Sequence, residues 1–251
     1  GVAISVREGL NTRTGSTISG KTATTNSTGD YTLSSLDAGS YTLEATKDGF
    51  ITTYIDAISC SGISGKKDTM STTLAEGEMR IVLNWDSSDD FDSHLEIPCT
   101  SGTCSGSGDS AAANKADKSH LWYSINHTNP VTYTGVSTVD YHDWGSGVYV
   151  TLDQDNQDSA DGPETITIGK VQSGDYRYHV HAWDRKGDNT THIADNGTVV
   201  YVYYDVNKSR TFNVPSATGD LWTVFDYNKD TGFSTLNIMG SEGTQGNVDD
   251  H

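Results

Sequence analysis

The sequence predicts an all-β chain of two tandem antiparallel β-sandwich domains (Ig-like or transthyretin-like), and three observations carry that prediction. Apolar residues make up only 33% of the 251 positions while Gly alone supplies 26, a composition too poor in apolar side chains for a helical bundle and rich in turn formers. Short stretches alternate apolar and polar residues between Gly, Asp and Ser turns, and residues 1–75 hold no long 3.6-period pattern. The length exceeds the usual domain of roughly 100–150 residues by enough for two.

The elements follow in order. Val2-Ala3-Ile4-Ser5-Val6 alternates and is followed by turn material from Gly9 to Gly15. Tyr31-Thr32-Leu33 follows the turn Thr28-Gly29-Asp30, and Ala38-Gly39-Ser40 leads into Tyr41-Thr42-Leu43-Glu44-Ala45. Gly49-Phe50 precedes the β-rich Ile51–Ile55. Residues 59–77, rich in Ser, Gly, Thr and Lys, read as a linker or long edge loop, which places the domains at 1–75 and 76–251. Further strands are expected at Met79–Trp85, Leu121–Tyr123, Val131–Tyr133, Val148–Val150, Glu164–Ile168, Tyr176–Ala182, Thr198–Val206, Arg210–Val214, Leu221–Tyr227 and Ser234–Ile238. Residues 101–119, a run of Ser, Gly, Ala, Asp and Lys, look like a surface insertion.

Two stretches resemble known families. Gly29-Asp30-Tyr31-x-Leu33, then Leu36-x-Ala38-Gly39-x-Tyr41-x-Leu43, then Gly49-Phe50 resemble the carboxypeptidase-regulatory-like domain over about residues 1–58. The resemblance implies a small transthyretin-like sandwich of secreted and surface proteins. Members of that family open with one more strand than is found before Gly1. That leaves two expectations, a trimmed chain or a gap filled in trans by a strand from a neighbouring copy. Such head-to-tail contacts propagate into filaments when they do not close. Arg80-Ile81-Val82-Leu83-x-Trp85, Asp90-x-Asp92-Ser93-His94-Leu95, Gly162-Pro163-Glu164-Thr165-Ile166 and Tyr176-Arg177-Tyr178-x-Val180-His181 are similar to an uncharacterised bacterial surface domain that often follows such modules. That likeness implies a β-sandwich on the cell exterior and no activity.

Charge narrows the partners. Sixteen basic against thirty-four acidic side chains leave a net charge of −18, a field that repels phosphate backbones and anionic membranes. Neither nucleic acid nor membrane insertion is therefore expected, and no apolar run reaches the roughly 18–20 residues of a bilayer span. With neither an initial Met nor a signal-peptide pattern, the chain reads as a processed product. Cys99 and Cys104 are spaced for a local disulfide across a tight loop, which leaves Cys60 as a lone buried thiol or a link to another chain. Sequons begin at Asn26, Asn126, Asn189, Asn196 and Asn207 and permit glycosylation.

Two acidic segments are candidates for metal chemistry. Asp90, Asp92 and His94 share one side of an extended strand beside Asp86 and Asp89, and Asp153, Asp155, Asp158, Asp161 and Glu164 crowd a turn. Hard oxygen donors in an irregular loop suit Ca²⁺, which takes roughly 6–8 of them; a solvated acidic surface or another metal is the alternative. His181 completes the candidate set, and the resemblance, to which His94 and His181 both belong, implies that they pair with nearby carboxylates in a buried polar network. His179 and His181 project from one face, and with His94 they are either a three-nitrogen zinc site or a hydrogen-bonded polar network. Nucleophile elbows, phosphate-binding loops and His-Glu-x-x-His pairs are missing from the sequence, so no enzyme is expected. Thirteen Tyr and five Trp form a palette for subunit contact or sugar stacking. Trp85 and Trp222 are expected in the core, and the run Tyr201, Tyr203, Tyr204 is expected to expose an aromatic face.

The expectation is an extracellular, non-enzymatic structural or adhesive protein, a surface-filament subunit joined to copies of itself by strand exchange. Ser234–Ile238 or the tail after it is the candidate donor. The second reading is a carbohydrate- or peptide-binding module of a larger secreted protein.

Overall fold

The computed structural model describes residues 1–60, 69–98, 118–122, 140–143, 149–154, 156, 163–183, 190–206 and 208–241. Across these residues the protein is all-β, with every strand pair antiparallel and one four-residue helical turn. The chain divides into two compact units, one built from Gly1–Leu74 with Val206–Ser209 and the other from the remainder.

The first unit holds β1 (Ala3–Glu8), β2 (Thr22–Thr24), β3 (Gly39–Thr46) and β4 (Thr53–Ser59), in one sheet of order β2-β1-β3-β4. Alternation sends Ile4 and Val6 of β1, Leu43 and Ala45 of β3, and Ile55 and Ala57 of β4 into a shared core. Ile18, Tyr31, Leu33, Leu36 and Met70 pack over it. On β1, β3 and β4, Arg7 pairs with Glu44 at 2.5 Å and the Tyr54 hydroxyl donates to Glu44 at 3.2 Å.

The strand expected at Tyr31–Leu33 is not formed, although both side chains reach the core. The Asn26 side-chain carbonyl accepts from the backbone N–H groups of Thr28 and Asp30, both at 2.9 Å, and Ser35 adopts a left-handed φ of 57°. Such local bonds compete with a β-ladder. Among the described residues the second layer over this sheet is therefore irregular chain rather than strands.

The other two sheets are drawn from β5 (Met79–Asn84), β6 (Phe91–Pro98), β7 (Lys118–Leu121), β8 (Asp140–Asp143), β9 (Tyr149–Gln154), β10 (Glu164–Ile168), β11 (Asp175–Ala182), β12 (Val199–Tyr204), β13 (Lys208–Asn213), β14 (Leu221–Asn228) and β15 (Gly232–Gly240). α1 (His192–Asp195) precedes β12. One sheet runs β13-β12-β5-β10-β9-β8 and the other β15-β14-β11-β6-β7. Met79, Ile81, Leu83, Ile166, Ile168, Val200 and Val202 of the first share a core with Phe91, Leu95, Ile97, Tyr178, Val180, Trp222 and Phe225 of the second. Trp85 and Trp222 lie in this core, 3% and 0% exposed, as expected.

Three expectations are corrected. Tyr201 and Tyr203 are buried and Tyr204 is half-buried against the core, so the face that Tyr201 and Tyr203 share is not an aromatic surface. Cys60 is exposed rather than a buried thiol. The segment Ser234–Ile238 is engaged within the chain, as part of β15 on β14. Cys99 and Cys104 lie outside the described residues. No helix among the described residues is long and apolar enough to cross a membrane.

Candidate functional site

Strand β6 alternates strictly. Phe91, Leu95 and Ile97 enter the core, which turns Asp92, His94 and Glu96 to the opposite face of the sheet. On β11 the same alternation puts Tyr176, Tyr178, Val180 and Ala182 in the core and Arg177, His179 and His181 on the opposite face. The ladder between them sets His181 against Asp92, His179 against His94 and Arg177 against Glu96. Directly opposed residues place their Cβ atoms about 4.5–5.5 Å apart, so three polar rungs stand side by side.

This polar face is buried. Asp92 is 3% exposed, and His94, His179 and His181 are all at 0%. One ligand atom from each of Asp92, His94 and His181 falls within 4.8 Å of the other two. The His94 and His181 rings meet edge-on with centroids 5.8 Å apart, and the Trp122 ring stacks on His94 at 5.7 Å. Two other residues of this face, His179 opposite His94 and Arg177 opposite Glu96, are engaged differently. His179 is hydrogen-bonded through Nδ1 to the Thr223 hydroxyl at 3.0 Å, with its Nε2 3.6 Å from Glu96. Arg177 forks onto Asp226, Nε to Oδ1 at 2.6 Å and Nη2 to Oδ2 at 3.0 Å. That pairing holds the guanidinium above its ordinary pKa.

Asp92, His94 and His181 are thus brought together, while the carboxylates of Glu164 and Asp153 accept hydrogen bonds elsewhere. Asp90 precedes β6 and its backbone carbonyl accepts from Trp183 N–H at 2.9 Å. Glu164, buried at the start of β10, accepts from the backbone N–H of Ser93 at 2.7 Å and of Asn156 at 3.4 Å. Its carboxylate so ties the two sheets to each other. Asp153 accepts the hydroxyls of Thr151 and Thr167. Asp155 and Asp158 lie outside the described residues. The trio that converges among the described residues offers two nitrogens to one carboxylate.

Of the sequons, Asn126, Asn189 and Asn207 lie outside the described residues. Asn26 is exposed and caps its own turn. The Asn196 side-chain amide donates to Asp89 at 2.6 Å, and Thr198 of that sequon is buried. The residues that sequence reasoning passed over are Glu96, one alternation beyond His94, and Trp122, whose stacking on His94 no local pattern announces.

No protein-family model, curated protein or solved structure matches this chain, so the fold and the site carry the functional reading by themselves.

Proposed function

We propose that the protein is a non-enzymatic, extracellular structural component, a surface-filament subunit whose copies join by adding a strand to an open sheet edge. The observation that supports this is β15. It ends the five-stranded sheet, is nine residues long, pairs only with β14 among the described residues and contains neither charge nor proline. Sheet edges are ordinarily blunted by shortness, charge, proline or a bulge, and of these β15 has a single bulge between Thr235 and Ile238, where Asn237 takes a left-handed φ of 55°. The other edge strands follow that rule. β2 has three residues, β4 carries Asp56, β7 carries Lys118, β8 carries Asp140 and Asp143, and β13 carries Lys208 and Arg210.

In a chain of net charge −18, a neutral nine-residue edge is a place where copies can approach without strong repulsion. Arg210 reaches across to Thr235, so the accessible half is the end bearing Ile238, 57% exposed. β15 then acts as the acceptor for a neighbour's strand, and main-chain hydrogen bonds supply the affinity.

Negative-stain electron microscopy of the wild type and of Ile238→Lys tests this reading. Filaments from the wild type, lost in a variant that keeps its circular-dichroism spectrum and melting behaviour, are the expected result. A wild type that stays monomeric at every concentration tried would overturn it, as would filaments indifferent to the lysine.

A further inference from the structure

We propose that Asp92, His94 and His181 form a binding site for one divalent first-row transition ion of the zinc class. This site is independent of how copies of the chain associate. Four observations carry it. The three donors lie within 4.8 Å of one another, close enough for a small adjustment to bring them to the roughly 3.3–3.6 Å spacing of tetrahedral ligands whose bonds are about 2.0–2.2 Å. They sit on two adjacent strands in fixed register, Asp92 and His94 two residues apart on β6 and His181 directly across from Asp92 on β11. A sheet holds such positions more rigidly than a loop does.

All three donors are buried, His94 and His181 completely, in an environment where charge and polarity persist only when satisfied by partners or metal. The His94 ring is also oriented from outside the trio, since Trp122 stacks on it.

Donor chemistry selects the class of ion. Two imidazole nitrogens and one carboxylate oxygen suit zinc and its first-row neighbours, whereas Ca²⁺ requires a shell of oxygens. The other polar residues of this face help to define the site by their different use. Arg177 is committed to Asp226, and His179 contacts Thr223 and Glu96, so neither enters the trio. Three protein donors leave at least one further position of a tetrahedral ion for water or for a group from outside. A role in stability follows, because an ion bound only by the folded chain raises its stability by mass action.

The competing arrangement is a metal-free network in which Asp92 accepts hydrogen bonds from the two imidazoles. Full-length protein stripped with a chelator and dialysed is titrated calorimetrically with Zn²⁺ and, separately, with Ca²⁺. Co²⁺ serves as the spectroscopic probe. The expected result is one Zn²⁺ per chain, visible cobalt bands from nitrogen and oxygen ligation, a raised melting temperature and no comparable response to Ca²⁺. Asp92→Asn, His94→Gln and His181→Gln should each weaken Zn²⁺ binding by about 100-fold or more, beyond the 10–100-fold typical of losing a mere supporting contact. Asp153→Asn, outside the trio, should bind as the wild type does. Folding of each variant is checked by circular dichroism without metal. A folded wild type that ignores Zn²⁺, or binding that survives all three substitutions, would overturn the proposal. So would a preference for Ca²⁺ that Asp153→Asn abolishes.

Discussion

The two faces of the β6–β11 strand pair are both buried along Asp92–Leu95 and Tyr178–His181, and they are chemically opposite. On one, Phe91, Leu95, Tyr178 and Val180 join the core shared by two sheets; on the other, Asp92, His94, His179 and His181 are buried as well. The comparison separates two ways of tolerating burial. The apolar face is driven together by removing hydrocarbon from water, roughly 25 cal/mol per Å², and is forgiving about direction. The polar face gains little from burial as such and is tolerated only because each group meets a partner of matching chemistry. Stability should therefore reside mostly on the first face, and specificity on the second.

The sharpest way to break this comparison is at Phe225. Its ring stacks on Phe212 at 4.9 Å and on Tyr178 at 5.5 Å, meets Phe233 edge-on at 5.2 Å, and is fully buried. Phe225→Ala should cost about 3–5 kcal/mol of stability, read as a shift in the urea unfolding midpoint with both transitions of a two-unit chain resolved. A loss below about 1 kcal/mol would mean that the aromatic cluster is not what holds this core.

Tyr178 touches both kinds of chemistry, since its ring stacks in the core while its hydroxyl meets Ser93 Oγ at 2.7 Å. Tyr178→Phe keeps the ring, loses that bond and should cost about 1–2 kcal/mol at neutral pH. Burial pushes the Tyr178 phenol well above its ordinary pKa, and Tyr176 shifts the same way for the same reason. The folded state thus holds the proton more tightly than the unfolded one. Its advantage is fully present below about pH 10, the unfolded value, and is lost as pH climbs beyond it. Unfolding midpoints at pH 7, 9 and 10.5 should fall more steeply on the alkaline side for the wild type than for Tyr178→Phe. Parallel curves would remove Tyr178 from the alkaline response.

Much of this pair was legible in the sequence. Period-two alternation in Tyr176–Ala182 and around Asp92 and His94 assigns each side chain to a face, because a strand leaves no other choice. It does not say whether the polar face meets water. The pattern apolar-in, polar-out is the same for a half-exposed strand and for one whose second face is covered, so His94 and His181 read equally well as surface residues. Nor does it give register. Asp92 and His181 become neighbours only through a ladder between strands far apart in sequence, and a slip of one residue would turn His181 to the core. Tyr31–Leu33 failed for a local reason, the Asn26 turn that competes with strand pairing. Tyr201 and Tyr203 failed for the same reason that the histidines were ambiguous, a second face that is buried.

The smallest expected effect is at the wet end of the polar face. Arg177 and Asp226 form a two-pronged pair, yet their side chains keep 28% and 34% of their exposure, and solvent screens such a pair to about 0–1 kcal/mol. Arg177→Met retains the aliphatic stem against the sheet and removes the charge, so the loss should stay below about 1 kcal/mol and shrink further in high salt. Chemical denaturation at low and high ionic strength measures both quantities. If Arg177→Met instead costs as much as Phe225→Ala, the polar face carries stability along its whole length. The division of labour between the two faces of β6 and β11 would then be wrong.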